Sequence, residues 1–166
     1  MSDAPASNDP IRILDHPAAI EITTRIISDT RQRVLIRSLN LESWLFDHAD
    51  VMDALRWVAT SKRDARVLVL LHDAAAPQAA HSKLLELAQR LPSVFEFREV
   101  DDPAYREDRA ALVSNDVGGY YYRPQGDTAV GTASIDARAR VRQLQGKFGE
   151  IWERSRLITE YRALGI

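Results

Sequence analysis

The segment Arg66–Leu71, Arg-Val-Leu-Val-Leu-Leu, constrains the fold more than any other stretch of the chain. Neighbouring side chains of a strand point to opposite faces. A strand with no polar residue after its first position therefore needs cover on both sides, which places it inside a parallel or mixed sheet layered by helices. The flanking segments have the periods such a sheet requires. Arg33–Leu39 is a second β-branched run and reads as the first central strand. Val94–Val100 alternates Phe95 and Phe97 with Glu96 and Arg98 and reads as a third. Helical spacing separates the strands. One helix runs from His16-Pro17 to about Arg33, with Ile20, Thr24 and Ile27 on one face. A second covers Asp50–Thr60, with Val51, Leu55 and Val58 inward and Asp47 or Asp50 as its cap. A third covers Gln78–Leu91, with Leu84, Leu85 and Ala88 inward and Pro92 as its stop.

A hairpin follows, with an apolar strand at Ala110–Ser114, a turn over Asn115–Gly119 and an aromatic strand at Tyr120–Arg123. Asn, Asp and two glycines supply the backbone angles of a tight turn. The hairpin makes the sheet mixed. A last long helix, from Ile135 or Asp136 to about Ser155, carries Val141, Leu144, Phe148, Ile151 and Trp152 as one apolar stripe. Ile11–Leu14 is an expected edge strand. Asn40–His48, Asp101–Asp108 and Gln125–Ser134 are expected loops, and Leu157–Leu164 a short helix or turn. The expected fold class is α/β, a single-domain mixed β-sheet flanked by helices, over residues 11–166 behind a disordered tail at 1–10.

Net charge is −2, so no global basic field draws the chain to DNA or anionic lipid. The chain has no cysteine, which excludes disulfides, thiolate zinc sites and cysteine nucleophiles and agrees with an expected place in the cytoplasm. No apolar run approaches the roughly 20 residues of a membrane span.

The element order, the hairpin and the last helix resemble the phospholipase D-like superfamily. That resemblance rests on the order itself, on Ser38 after the first strand, on Val67–Asp73, and on Lys147–Ser155, which is similar to a late Phe-x-x-x-Trp-type helix end. It implies an active-site motif, His-x-Lys-(x)4-Asp, on the hairpin. Here Arg109 stands at the histidine position, Ala111 at the lysine and Asp116 at the aspartate. A guanidinium stays protonated and has no acceptor lone pair, so it cannot replace a nucleophile. More narrowly, the chain resembles a catalytically degenerate bacterial module sometimes fused behind GNAT-type acetyltransferases. The residues that carry this are Trp44–Asp47, His81–Ala88, Tyr105–Glu107, the hairpin and Phe148–Ser155. The Gly-rich acetyl-CoA loop of such enzymes is missing. His81-Ser82-Lys83 spells His-x-Lys, but Ala88 stands where the aspartate belongs.

Ligands of open α/β sheets bind past the carboxyl ends of parallel strands. That rule selects Arg37, Ser38 and Asn40 after one strand and His72 and Asp73 after the next. His81 approaches from the neighbouring helix start, and Arg109 and Asp116 join if the phospholipase D-like topology holds. Arg37 and Arg109 would then be bidentate phosphate donors. The competing reading is that His72-Asp73 simply ends a strand and Arg37 makes a local ion pair. His72, Asp73 and His81 match no metal spacing, and neither a metal nor another cofactor is expected. Two further patterns are open to nucleic acid or to plain structural use: Tyr120–Arg123, aromatics beside an arginine, and the basic stripe Arg138, Arg140, Arg142, extended by Arg154 and Arg156.

The expected function is a non-catalytic phospholipase D-like module that binds a phosphate-bearing ligand, nucleic acid or protein partner. One alternative is a divergent phosphodiesterase or nuclease using His72 or His81. Another is a protein-interaction domain with a vestigial cleft, acting through an exposed aromatic such as Trp44. A single-unit chain leaves a homodimer open, and no membrane partner is expected.

Overall fold

Strand β2 (Arg33–Ser38) sends Val34 and Ile36 to one side of the sheet and Leu35 and Arg37 to the other. Strand β3 (Arg66–Leu71) divides Val67, Val69 and Leu71 from Leu68 and Leu70 in the same way. Both sides are covered, as the all-apolar β3 demands. The computed structural model describes residues 9–163, so most of the tail expected at 1–10 lies outside the described residues.

In chain order the other elements are β1 (Ile11–Ile13), α1 (His16–Ser28), α2 (Ser43–Phe46), α3 (Ala49–Ser61), α4 (Ala75–Ala79), α5 (Lys83–Arg90), β4 (Phe95–Glu99), α6 (Pro103–Arg106), β5 (Ala111–Ser114), β6 (Tyr120–Arg123), β7 (Gly131–Ser134), α7 (Arg138–Glu153), β8 (Arg156–Leu157) and α8 (Glu160–Ala163). One eight-stranded sheet results, in the order β1-β7-β6-β5-β2-β3-β4-β8. β2, β3 and β4 are parallel and the remaining pairs antiparallel. This is the α/β mixed sheet flanked by helices that the periodicity called for.

The larger core lies on the side of α1, α3 and α5, where Ile26, Ile27, Val58, Leu55 and Leu84 meet Val34, Ile36, Val67 and Val69. α7 covers the other side. Val141 and Leu144 pack on Leu112 and Tyr120, and Phe148, Ile151 and Trp152 pack on Leu35 and Leu70. Burying an apolar side chain of this size is worth about 1.5–3 kcal/mol, so the stripe read from the sequence is the main hold of α7 on the sheet. No helix among the described residues is long and apolar enough to cross a membrane.

Several expectations need correction. The loops expected at Asn40–His48 and Asp101–Asp108 each hold a one-turn helix, α2 and α6, and the first helix ends at Ser28 rather than about Arg33. The loop expected at Gln125–Ser134 ends in strand β7. Its small residues, Gly-Thr-Ala-Ser, lack strand character, but β1 and β6 pair with it on both sides. Gly131 is required there, because a Cβ would fall 2.1 Å from the Tyr122 carbonyl oxygen. β8 opens the segment expected to be only a helix or turn, by pairing Arg156 and Leu157 with Glu99 and Arg98. The third helix is two helices, broken where His81 takes a positive φ of 52°. The N-cap of α3 is His48, whose Nδ1 accepts from the Asp50 amide, while Asp47 accepts instead from the amide of Lys83 at the start of α5.

Candidate functional site

The parallel strands β2 and β3 end side by side at Ser38 and Leu71. Because β5 runs antiparallel to β2, its beginning lies at that same end, and Arg109 comes near enough for its charge to act on His72. Arg37, on the α7 side, is only 5% exposed. Its NH2 donates to the Asp108 carbonyl oxygen at 2.7 Å, and its NH1 lies 3.5 Å from the Asp108 carboxylate. Burial pulls the Arg37 pKa down and Asp108 opposes the shift, but a guanidinium keeps its proton at any physiological pH. Its Nε is a buried donor with no partner.

His72 Nε2 is 3.4 Å from Arg37 NH2. Arginine only donates, so this nitrogen is the acceptor and the ring proton sits on Nδ1. Burial, then the charges of Arg37 and Arg109, and to a smaller extent Arg106, push the His72 pKa down to about 4 against the opposing pull of Asp108. At neutral pH the imidazole is uncharged. Arg109 is exposed, and among the described residues no carboxylate is ion-paired with it. It borders an open cleft of about 430 Å³ with Asn40, Trp44, Asp47 and Asp127.

The other residues selected from the sequence are placed differently. Ser38 is buried; its hydroxyl donates to Glu42 Oε1 and accepts from the Leu41 amide at 2.9 Å, so it shapes the loop after β2. Asp73 accepts from the amides of Ala75 and Ala76 and holds the start of α4. His81 stays outside the cleft, although Ala80 and Ser82 line it. The segment His81–Lys83 is a helix start, with Ser82 capping the Leu85 amide. Among the described residues no three His, Cys, Asp or Glu side chains gather as a metal site.

Asp116 is the clearest correction. The antiparallel pairing Leu35↔Ser114 carries the hairpin turn to the start of β2, roughly 17 Å along the strand from Ser38 at about 3.3 Å per residue. There its carboxylate accepts from the amides of Arg31, Gln32 and Arg33, at 2.9, 2.9 and 3.2 Å. It shapes the entry to a central strand and does not reach the cluster of Arg37, His72 and Arg109. Asp116→Ala should lower stability by about 1–3 kcal/mol, the loss of charge-assisted bonds to backbone donors. A urea melt would check this; no change would show that water replaces the carboxylate without loss.

Sequence reasoning missed Asp108, which anchors Arg37, and the pair Glu42–Arg123. Arg123 is 1% exposed; its NH2 lies 2.7 Å from Glu42 Oε2, in an ion contact without hydrogen-bond angles, and its NH1 donates to the Gly126 carbonyl oxygen at 3.0 Å. The alternation of Tyr120–Arg123 did put Tyr121 and Arg123 on one face. Only the fold supplies Glu42 opposite them. Trp44 is half-buried and stacks on His16 at 3.9 Å between ring centroids, so it is not the free aromatic expected of a docking surface.

A family model described as a domain of unknown function, DUF7931, matches residues 15–164. No curated protein matches the chain. Among solved structures, TrmBL2, described as an archaeal chromatin protein with a novel mode of DNA binding, is similar at a TM-score of 0.64 and 13% identity over 93% of this chain. The match spans 56% of the TrmBL2 chain, so this protein corresponds to just over half of it. Nuc from Salmonella typhimurium, a phospholipase D family member, matches at 0.59 and 11% identity, over 90% of this chain and 99% of its own. NucT from Helicobacter pylori matches at 0.63 and 13% identity with the same coverages. The likeness is one of fold, and the fold is phospholipase D-like.

Proposed function

The chain belongs to the DUF7931 family, and from that membership and its fold we propose that it is a non-catalytic phospholipase D-like module that binds a phosphate-bearing ligand at Arg37, His72 and Arg109. One observation carries the reading: an uncharged His72 set among arginine cations, with its acceptor nitrogen turned to Arg37. A ring whose lone pair faces a guanidinium is a poor nucleophile. A ring with a pKa of about 4 carries almost no proton to give a leaving group at neutral pH. What remains is donors. Arg109 offers a guanidinium fork suited to a phosphate, and His72 offers Nδ1–H. Arg37 supplies fixed positive charge from below. Arg109 and the buried Ala111 stand at the motif's histidine and lysine positions, so neither phosphate-handling group of the family motif is present.

Binding of inorganic pyrophosphate, followed by calorimetry, tests the reading. Wild type should bind, and Arg109→Ala should weaken binding about tenfold or more, as loss of a charged, bidentate donor does. A chromogenic phosphodiester should not turn over, with or without divalent metal. Turnover that vanishes in His72→Ala would overturn the non-catalytic reading in favour of a divergent phosphodiesterase. Absence of pyrophosphate binding would remove the phosphate site.

A further inference from the structure

One lateral row of the sheet collects two patterns that the phosphate site does not use. The registers Arg12↔Thr132, Thr132↔Tyr122, Tyr122↔Leu112 and Leu112↔Arg37 run across β1, β7, β6, β5 and β2. Ile13 and Tyr121, the chain neighbours of Arg12 and Tyr122, are buried in the core on the α1 side. Arg12 and Tyr122 therefore face the α7 side. α7 covers only part of that face. Val141 and Leu144 sit on Leu112 and Tyr120, while Arg12 is exposed and Thr132 and Tyr122 are half-exposed. The Arg140 guanidinium lies 5.6 Å from the centre of the Tyr122 ring. Leu14 and Val130, one residue beyond the Ile13↔Gly131 pair on each strand, are 63% and 47% exposed.

The helix edge of this face carries charge of one sign. Residues 138–149 of α7 carry Arg138, Arg140, Arg142 and Lys147 and no acid. Among the described residues Arg12, Arg138, Arg140 and Arg142 are ion-paired with no carboxylate, whereas Lys147 is held by Glu150. The nearest acids in sequence flank these elements: Asp9 and Asp15 lie on either side of β1, with Asp15 capping the Ala18 amide, and Asp127 and Asp136 sit on the segments bounding β7. Two strand spacings, about 10 Å, separate Arg12 from Tyr122, the width of the face that α7 leaves open.

We propose that this open face of β1, β7 and β6, with the first half of α7, binds single-stranded nucleic acid, the phosphates on Arg12 and Arg140 and a base on Tyr122. A duplex keeps its base faces stacked inside and offers none to Tyr122. An acidic peptide matches the cations but not the aromatic and apolar floor. The contacts share no side chain with Arg109 and His72, and Arg37 only closes the row at its buried end. The inference thus goes beyond the phosphate site and does not depend on it.

Fluorescence anisotropy of labelled 12-nucleotide oligo-dT and oligo-U, titrated with the full chain at several salt concentrations, tests it. Binding should weaken with salt, and Arg12→Ala and Arg140→Ala should each reduce the log–log slope by about 0.7. Tyr122→Ala should weaken binding about tenfold or more, as loss of a stacking ring does, while Tyr122→Phe keeps it. Tyr122 is partly packed, so the Phe variant and the two arginine variants stand where Tyr122→Ala fails to fold. Pyrophosphate binding, read in parallel, should be unchanged in Arg12→Ala and Arg140→Ala, which separates failure here from failure at the phosphate site. No binding of either oligonucleotide would overturn the proposal. So would affinities untouched by the arginine variants, or equal binding of a duplex or of polyglutamate at matched charge.

Discussion

Glu42→Ala should lower the free energy of unfolding by about 3–5 kcal/mol, the usual result of stranding one member of a buried ion pair. Arg123, 1% exposed, would keep its charge and lose the carboxylate 2.7 Å away. It would still hold the carbonyl oxygens of Gly126 and, more weakly, Thr128, but neutral acceptors do not offset a buried cation. The same change frees the Ser38 hydroxyl, which donates to the other oxygen of Glu42. For a chain of this length the loss corresponds to a fall in Tm of roughly 10 °C or more. The double variant Glu42→Leu/Arg123→Met should recover most of the stability, because replacing both charges removes the desolvation penalty together with the attraction. Thermal melts of the two singles and the double close the cycle. Singles that cost under about 1 kcal/mol would mean that water reaches the pair.

Stability should also fall as the pH drops from about 6.5 to about 4, through His72. In the folded protein its pKa is held down to about 4, against an ordinary value of 6.5. In the unfolded chain the imidazole takes its proton near 6.5, while the folded chain refuses it until about 4. Between those limits the unfolded state binds more protons, so acid favours unfolding. Above 6.5 both states are neutral and the contribution is flat; below 4 both are charged and nothing more is lost through this group. The whole span is worth up to about 3 kcal/mol and roughly two-thirds of that is lost by pH 5. Urea melts at pH 7.5 and 5 on wild type and His72→Gln would read it, since other groups titrate in both proteins and cancel. An NMR titration placing His72 near 6.5, or equal pH dependence in both proteins, would show that neither burial nor the arginine charges hold the ring neutral. The same titration bears on function, because a His72 that protonates near neutrality would be a candidate acid.

Much of the architecture follows from local patterns. The apolar run at Arg66–Leu71 required cover on both faces, and α3 and α5 on one side and α7 on the other supply it. The stripe from Val141 to Trp152 read as an amphipathic helix and is one. The alternation at Tyr120–Arg123 separated Tyr120 and Tyr122 from Tyr121 and Arg123, as observed. Each of these depends only on a side-chain period along one segment, which the sequence displays directly.

Other features were not legible, because they depend on which distant segments pair. β7 has weak strand character and exists through β1 and β6 on either side of it. By sequence, Arg37, Ser38, His72, Asp73, His81, Arg109 and Asp116 form one candidate group. The antiparallel register of β5 on β2 leaves Arg109 near His72 and carries Asp116 to the far end of the sheet. Asp108 and Glu42 looked like ordinary charges until the fold set them against Arg37 and Arg123. Residue type and local period were enough for most of the elements and for the two-sided sheet, since each depends on one segment at a time. The tertiary structure alone decided which charges meet, since a side chain's partner is set by strand register and desolvation across tens of residues.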